Sequence, residues 1–347
     1  MNLLFRTDAS LTMGTGHVMR CIALAQTAQD AGGRAAFALA ESTAGIRAKL
    51  AEESCEVLPI TAEAGSEHDS GQCIALARQQ RADWIIVDGY QFGDDYQRAL
   101  KAAGFKVLFL DDYGHAAHYS ADLVLNQNAQ AQATKSLYAR REPYTRLLFG
   151  TEYCLLRREF ASWRGWKREI APVGSKVLVT MGGSDPDNVT EVVIAALQHL
   201  PDVEATIVVG GSNPHFDSLQ GLTSQGGQRF RLLRSITNMP ELMAWADVAV
   251  SGAGSTCWEM CLLQLPMMLI DLADNQKPIA GALGEMGAAI HLGASGEVSA
   301  SEVAESVRNL LAAGTDRVSL AKRCGQLVDG RGAVRVLGEL SRARRAD

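Results

Sequence analysis

The segment Arg6-x-Asp8-x-Ser10-x-x-x-Gly14-Thr15-Gly16-His17-x-x-Arg20 joins an apolar run at residues 2–6 to an amphipathic run beginning near His17. Gly14 and Gly16 let backbone N–H groups approach an anion, and the start of a helix adds partial positive charge. Three readings of His17 compete. A dinucleotide fingerprint needs a third glycine at position 19, where Met19 stands, although Glu41 could supply the ribose acid. A helix cap or satisfied core histidine is the second reading. A general base is the third, which suits a side chain titrating near neutral pH. The glycine loop and the flanking Arg6 and Asp8 favour the base.

Three further segments carry chemistry. Met181-Gly182-Gly183-Ser184-Asp185-Pro186-Asp187-Asn188 follows an apolar run and opens a helical one. Its paired glycines can admit a diphosphate, and the N–H groups of the following helix can hold it. Asp185 and Asp187 have the spacing of a metal pair, but Asp and Asn188 are also ordinary helix caps, so no metal is expected. In Ser251-Gly252-Ala253-Gly254-Ser255-Thr256-Cys257-Trp258-Glu259, Gly254 allows the turn and Ser255 and Thr256 offer hydroxyls and amides to phosphate. Glu259, one turn on, can accept two sugar hydroxyls; the alternative is a plain capped helix start. Asp271-Leu272-Ala273-Asp274-Asn275-Gln276 places an amide pair, Asn275 and Gln276, at a strand's end.

These segments need a scaffold. Short β-rich runs alternate with helical patterns, which argues for parallel sheets with crossover helices. Strands are expected at 2–6, 34–40, 55–60, 84–87, 106–110 and 121–125, then at 176–180, 205–209, 229–233, 248–250, 267–270 and 289–292. The first helix places Val18, Cys21, Ile22 and Ala25 on one face, and Gly32-Gly33 ends it. Residues 152–173, rich in Trp, Arg and Lys, read as a connection. The expectation is an α/β protein of two Rossmann-like domains, 1–160 with the catalytic glycine loop and 175–330, with parallel sheets facing a central cleft, and a helical tail at 331–347. Ligands in such sheets bind beyond the carboxyl ends of the strands.

The chain has 347 residues, enough for two domains, and a net charge of −6. That charge argues against nucleic acid as a partner. Arg342, Arg344 and Arg345 read as a solvated helix end. Seven scattered cysteines without a CxxC pair read as free, buried thiols in a reducing compartment. No basic leader precedes the first strand, and charge interrupts every apolar stretch, so a cytoplasmic protein without membrane association is expected. Nothing requires an obligate protein partner.

The four motifs, in this order, resemble the UDP-sugar hydrolases of pseudaminic acid biosynthesis, a pathway tied to flagellin glycosylation. The resemblance covers nearly the whole chain. It implies the GT-B fold of nucleotide-sugar glycosyltransferases and a UDP-sugar substrate, UDP-2,4-diacetamido-2,4,6-trideoxy-β-L-altropyranose. It implies hydrolysis with inversion at the anomeric carbon, without metal or cofactor. It makes His17 the general base, places Tyr90 beside the sugar, makes Asn275 a substrate contact and Glu259 the ribose ligand. Ser255, Thr256 and the Gly182-Gly183 loop then hold the diphosphate. A GT-B glycosyltransferase using a UDP-sugar donor is the alternative.

Overall fold

The computed structural model describes residues 1–10, 13–211 and 213–345, and the side chains of Arg344 and Arg345 lie outside what it describes. The chain divides into two compact units, one of Met1–Arg158 with Gly330–Asp347 and one of Glu159–Asp329.

The first unit holds β1 (Asn2–Thr7), β2 (Arg34–Leu39), β3 (Glu56–Pro59), β4 (Trp84–Asp88), β5 (Lys106–Leu110), β6 (Leu123–Asn126) and β7 (Arg146–Phe149). They form one sheet in the order β3-β2-β1-β4-β5-β6-β7, and every pairing is parallel. Between them run α1 (Gly16–Asp30), α2 (Ala44–Glu52), α3 (Glu67–Gln79) and α4 (Asp94–Ala102). The central strands are apolar without alternation because helices cover both faces. In β4, Trp84, Ile85, Ile86 and Val87 are all fully buried. The strand β7 was not expected. Its four residues are too few to show a period, and it begins just after the polar turn at Tyr144-Thr145.

The second unit holds β8 (Lys176–Thr180), β9 (Glu204–Val209), β10 (Phe230–Arg234), β11 (Val248–Gly252), β12 (Met267–Asp271) and β13 (Ile290–Ala294). Their order is β10-β9-β8-β11-β12-β13, again wholly parallel. Its helices are α5 (Val189–Gln198), α6 (Phe216–Gln225), α7 (Met239–Trp245), α8 (Thr256–Leu262), α9 (Lys277–Glu285), α10 (Ala300–Ala312) and α11 (Gly314–Leu327). The last helix, α12 (Gly332–Arg345), returns to the first unit, where Val336 and Leu340 join the core beside α1.

In both sheets the strand order reverses at the centre, between β1 and β4 and between β8 and β11. Ligands of doubly wound sheets bind at such switch points. The glycine loop follows β1 and the Met181–Asn188 segment follows β8, while Gly252–Ser255 begins at the end of β11. Each motif thus flanks a switch point. All seven cysteines are free and buried. No helix among the described residues is long and apolar enough to cross a membrane.

Candidate functional site

In the first unit, His17 is the second residue of α1 and is 7% exposed. Its Nδ1 lies 2.6 Å from Oδ1 of Asp88, the last residue of β4. A carboxylate at that distance fixes Nδ1 as the protonated nitrogen and leaves Nε2 to accept a proton. Arg20, one turn along α1, forks onto the same carboxylate, with Nε 2.7 Å from Oδ2 and Nη2 2.6 Å from Oδ1. Its Nη1 donates to Asp112 at 2.7 Å, and Asn128 donates to the same oxygen at 2.9 Å. Tyr90 donates its hydroxyl to the other Asp112 oxygen at 2.9 Å and turns its ring edge-on to His17, centroids 4.8 Å apart.

The electrostatics keep the carboxylates of this cluster ionised. Burial alone would raise the pKa of Asp88, but the charges of Arg20 and His17 hold it well below the usual carboxylate range. Asp112 is lowered in the same way, chiefly by Arg20 against its own burial. Two carboxylates, those of Asp88 and Asp112, face the one guanidinium of Arg20. The arrangement can orient a neutral imidazole, accept a proton on Nε2 and balance the new charge.

Sequence reasoning placed Arg20 in the glycine-loop motif without assigning it a role, and missed Asp88, Asp112 and Asn128 as site residues. The available signal was positional: Asp88 ends β4, and Asp112 and Asn128 lie just past the ends of β5 and β6.

Arg6 and Asp8 serve the scaffold. Arg6 is fully buried, with Nε and Nη2 on Asp69 at 2.9 and 2.8 Å and Nη1 on Asp8 at 2.8 Å. Asp8 also accepts the Ala40 and Glu41 amides at 2.7 and 3.0 Å. Every guanidinium nitrogen of Arg6, a residue expected to contact the ligand, is spent tying β1 to α3 and to the loop after β2. Gly14 has φ +77° and donates to the Ser10 carbonyl, so it shapes the loop, while Gly16 is exposed at the start of α1.

In the second unit, the Gly182-Gly183 turn packs against the turn after β9. A side chain at Gly210 would meet the Gly183 carbonyl at 2.2 Å, which is why glycine is needed there. Asp185 caps α5, accepting from the amides of Val189 and Thr190 at 2.9 and 3.0 Å and from the Thr190 hydroxyl at 2.6 Å. Two of the α5 amides expected to face a diphosphate, those of Val189 and Thr190, are thus taken by a buried carboxylate. Asn188 sits at φ +54° before α5, with its Nδ2 on Glu191.

The start of α8 differs. Ser255 at its N-cap makes no side-chain cap, and the Cys257 and Trp258 amides turn back onto the carbonyls of Gly254 and Ser255. The Ser255 and Thr256 amides stand at the open end of the helix, with Glu259 half-buried in the first turn. Gln276 spends its side-chain oxygen on two amides, those of Ala253 and Leu272, both at 3.1 Å. It holds the turn after β11 against the loop after β12, a positioning role where ligand contact was expected. Asn275 lies half-buried in the same turn. The structure thus groups His17 with Tyr90 in the first unit, and Gly254, Ser255, Thr256 and Glu259 with the Asn275-Gln276 turn in the second. Among the described residues no group of three His, Cys, Asp or Glu side chains is arranged to hold a metal ion.

Residues 177–324 match the glycosyltransferase family 28 C-terminal domain. Solved structures sharing the fold include MurG of Acinetobacter baumannii, with TM-score 0.63, 15% identity and coverage of 98% of this chain and 99% of that one. Another is Anabaena HepE in complex with UDP and glucose, with TM-score 0.59, 17% identity and 98% of both chains covered. The protein has the GT-B fold.

Within that fold its sequence is related to the UDP-2,4-diacetamido-2,4,6-trideoxy-β-L-altropyranose hydrolase of Campylobacter jejuni, 27% identical over 83% of this chain and 97% of the relative. It is also 27% identical to the spore coat polysaccharide biosynthesis protein SpsG of Bacillus subtilis, over 66% of this chain and 67% of that one. An uncharacterized protein of Methanocaldococcus jannaschii is 24% identical over 78% of this chain, which spans only 55% of that relative's length.

Proposed function

We propose that the protein is an enzyme acting on a UDP-sugar, and that it hydrolyses a UDP-activated 2,4-diacetamido-2,4,6-trideoxy sugar to UDP and the free sugar. The observation that carries this reading is the His17–Asp88 pair, a base with its tautomer fixed and one nitrogen left for a proton. The Campylobacter relative supports the choice of reaction and sugar. In the proposed step Nε2 of His17 takes a proton from water as the water oxygen bonds to the anomeric carbon. The bond from that carbon to the diphosphate oxygen breaks, and UDP leaves with the electron pair. Attack opposite the leaving group inverts the configuration. The amides at the start of α8, with Ser255 and Thr256, take the growing phosphate charge, and Glu259 takes the ribose hydroxyls. The scheme uses no metal, because the amides and hydroxyls at the start of α8 take the phosphate charge and Asp185 is committed to capping α5.

The test is UDP release from a panel of UDP-sugars without acceptor, with the product anomer read at once by NMR. His17→Asn should lose about 10²–10⁴-fold in turnover while keeping UDP affinity. Activity should survive EDTA. A His17→Asn protein within a few-fold of the parent would remove the base assignment, and activity lost to EDTA and restored by Mg²⁺ would remove the metal-free scheme. A glycosyltransferase is the second reading, favoured by the family 28 match over residues 177–324. It is adopted if UDP appears only when an acceptor is supplied.

A further inference from the structure

Two exposed apolar side chains of the first unit stand near the base. Tyr113 is 40% exposed and Leu137 is 52% exposed. The Tyr113 ring lies 5.0 Å from that of Tyr90, which in turn lies 4.8 Å from His17. His115 completes the group, 5.6 Å from Tyr113 and 5.7 Å from Tyr90. Leu137 closes over the next residue, since a Cβ at Gly114 would fall 2.6 Å from that of Leu137. A run of aromatic surface therefore leads from His17 through Tyr90 to an open ring with an aliphatic edge.

The exposure of Tyr113 is built in. The turn that carries it is pinned to one buried carboxylate: Asp111 accepts the Tyr113 and Gly114 amides at 2.9 and 2.8 Å and the His115 amide at 3.3 Å. Asp111 is itself held by the Tyr119 hydroxyl at 2.5 Å, and His115 by the Phe92 carbonyl at 3.1 Å. The ring rests on Tyr90 and His115 and leaves its remaining surface to solvent, so an aromatic face stands open in the same cluster as the base. Tyrosine offers large contact area at low entropic cost.

We propose that Tyr113, edged by Leu137, is the floor of the sugar subsite, stacking on the C–H face of the pyranose and covering the methyl group of a 6-deoxy sugar. This inference rests on the sugar-nucleotide reading and adds which part of the sugar is recognised, and by which residue. A methyl group is favoured against such a floor. A hydroxymethyl group would lay its hydroxyl on apolar atoms, and a contact of this type discriminates by about 10–100-fold.

The experiment titrates the protein with N-acetyl-D-fucosamine and N-acetyl-D-galactosamine, which differ only in the hydroxyl at C6, followed by saturation-transfer NMR and calorimetry. The parent should bind the 6-deoxy sugar at least about tenfold more tightly. Tyr113→Ala should weaken that binding and erase the preference, Tyr113→Phe should recover both, and Leu137→Ala should reduce the preference alone. Equal affinity of the parent for the two sugars overturns the proposal, as does parent-like binding by Tyr113→Ala. The hydrolase reading is scored separately by UDP release from the parent. Its failure alongside Tyr113-dependent sugar binding would remove the reaction and leave the subsite standing.

Discussion

The two units use the same sheet topology and furnish the ends of their strands in opposite ways. In the first, strand ends and the residues just beyond them carry Asp8, Asp88, Asp112 and Asn128, all buried and all hydrogen-bonded to charged or amide side chains. In the second, the positions at the switch point include Thr180, Gly182, Gly252 and Gly254, and the buried carboxylates nearby are turned to local partners, Asp185 to the start of α5 and Asp271 to His291 at 2.8 Å. A proton acceptor needs a side chain held in one orientation and tautomer, which takes a charged network. A diphosphate needs several weak donors at close range, which backbone amides supply once side chains are removed. The first unit thus meets the demands of a proton acceptor and the second those of an anion site, which is the division of labour proposed for them.

The largest expected effect breaks the charged network. Asp88→Asn should lower turnover by about 10²–10⁴-fold, because His17 loses the partner that fixes its tautomer. UDP affinity should not change. The variant should also lose stability, since removing one partner of a buried ion pair costs about 3–5 kcal/mol. The sign with pH follows from the direction of the shift. The folded-state pKa of Asp88 is depressed, so its contribution is present above about pH 4, where the unfolded carboxylate is ionised, and is lost as pH falls through the folded value. Melting temperature followed from pH 6 down to about pH 2 should fall more steeply for the parent than for Asp88→Asn, with the difference opening below about pH 4. Parallel curves would mean that Asp88 is not the buried anion inferred here.

A smaller effect sharpens the binding half of the comparison. Glu259→Ala should weaken UDP binding by about ten- to a hundredfold, the value of a charged acceptor lost from ribose hydroxyls. Binding of the free sugar should stay as in the parent, because its proposed contacts lie around His17 and Tyr90. Calorimetric titration with UDP and with product sugar separates the two. Unchanged UDP affinity with weakened sugar binding would reverse the assignment of roles to the units.

The strand positions were legible because parallel strands covered on both faces read as unbroken apolar runs, as in Trp84–Asp88 and Met267–Asp271. The glycine segments were legible because a turn between strand and helix demands glycine whatever it binds. The partners of His17 were not, because Asp88, Asp112 and Asn128 come from 71, 95 and 111 residues further along and meet it only through the strand order β1-β4-β5-β6. Arg6 is the converse case. A charged residue beside a glycine loop resembles a ligand contact until burial shows that it holds the sheet to α3. Gln276 is similar: its motif reads as ligand contact, yet its side-chain oxygen braces the loop from within.

The smallest effect tests whether Asp185 binds anything besides its own helix. Three donors converge on its carboxylate, the Val189 and Thr190 amides and the Thr190 hydroxyl. Losing such a cap costs about 0.5–2 kcal/mol. Asparagine keeps an acceptor in the same place, so Asp185→Asn should hold most of the stability while Asp185→Ala should not. A metal ligand behaves differently: asparagine keeps the shape and removes the charge, so activity would fall in both variants and recover with excess Mg²⁺. With Asp185 acting only as a cap, the two variants differ in melting temperature, UDP affinity stays within about twofold of the parent, and added metal changes nothing. A turnover defect in Asp185→Asn that excess metal repairs would give the second unit a charged centre of its own, and the contrast between the two units would be lost.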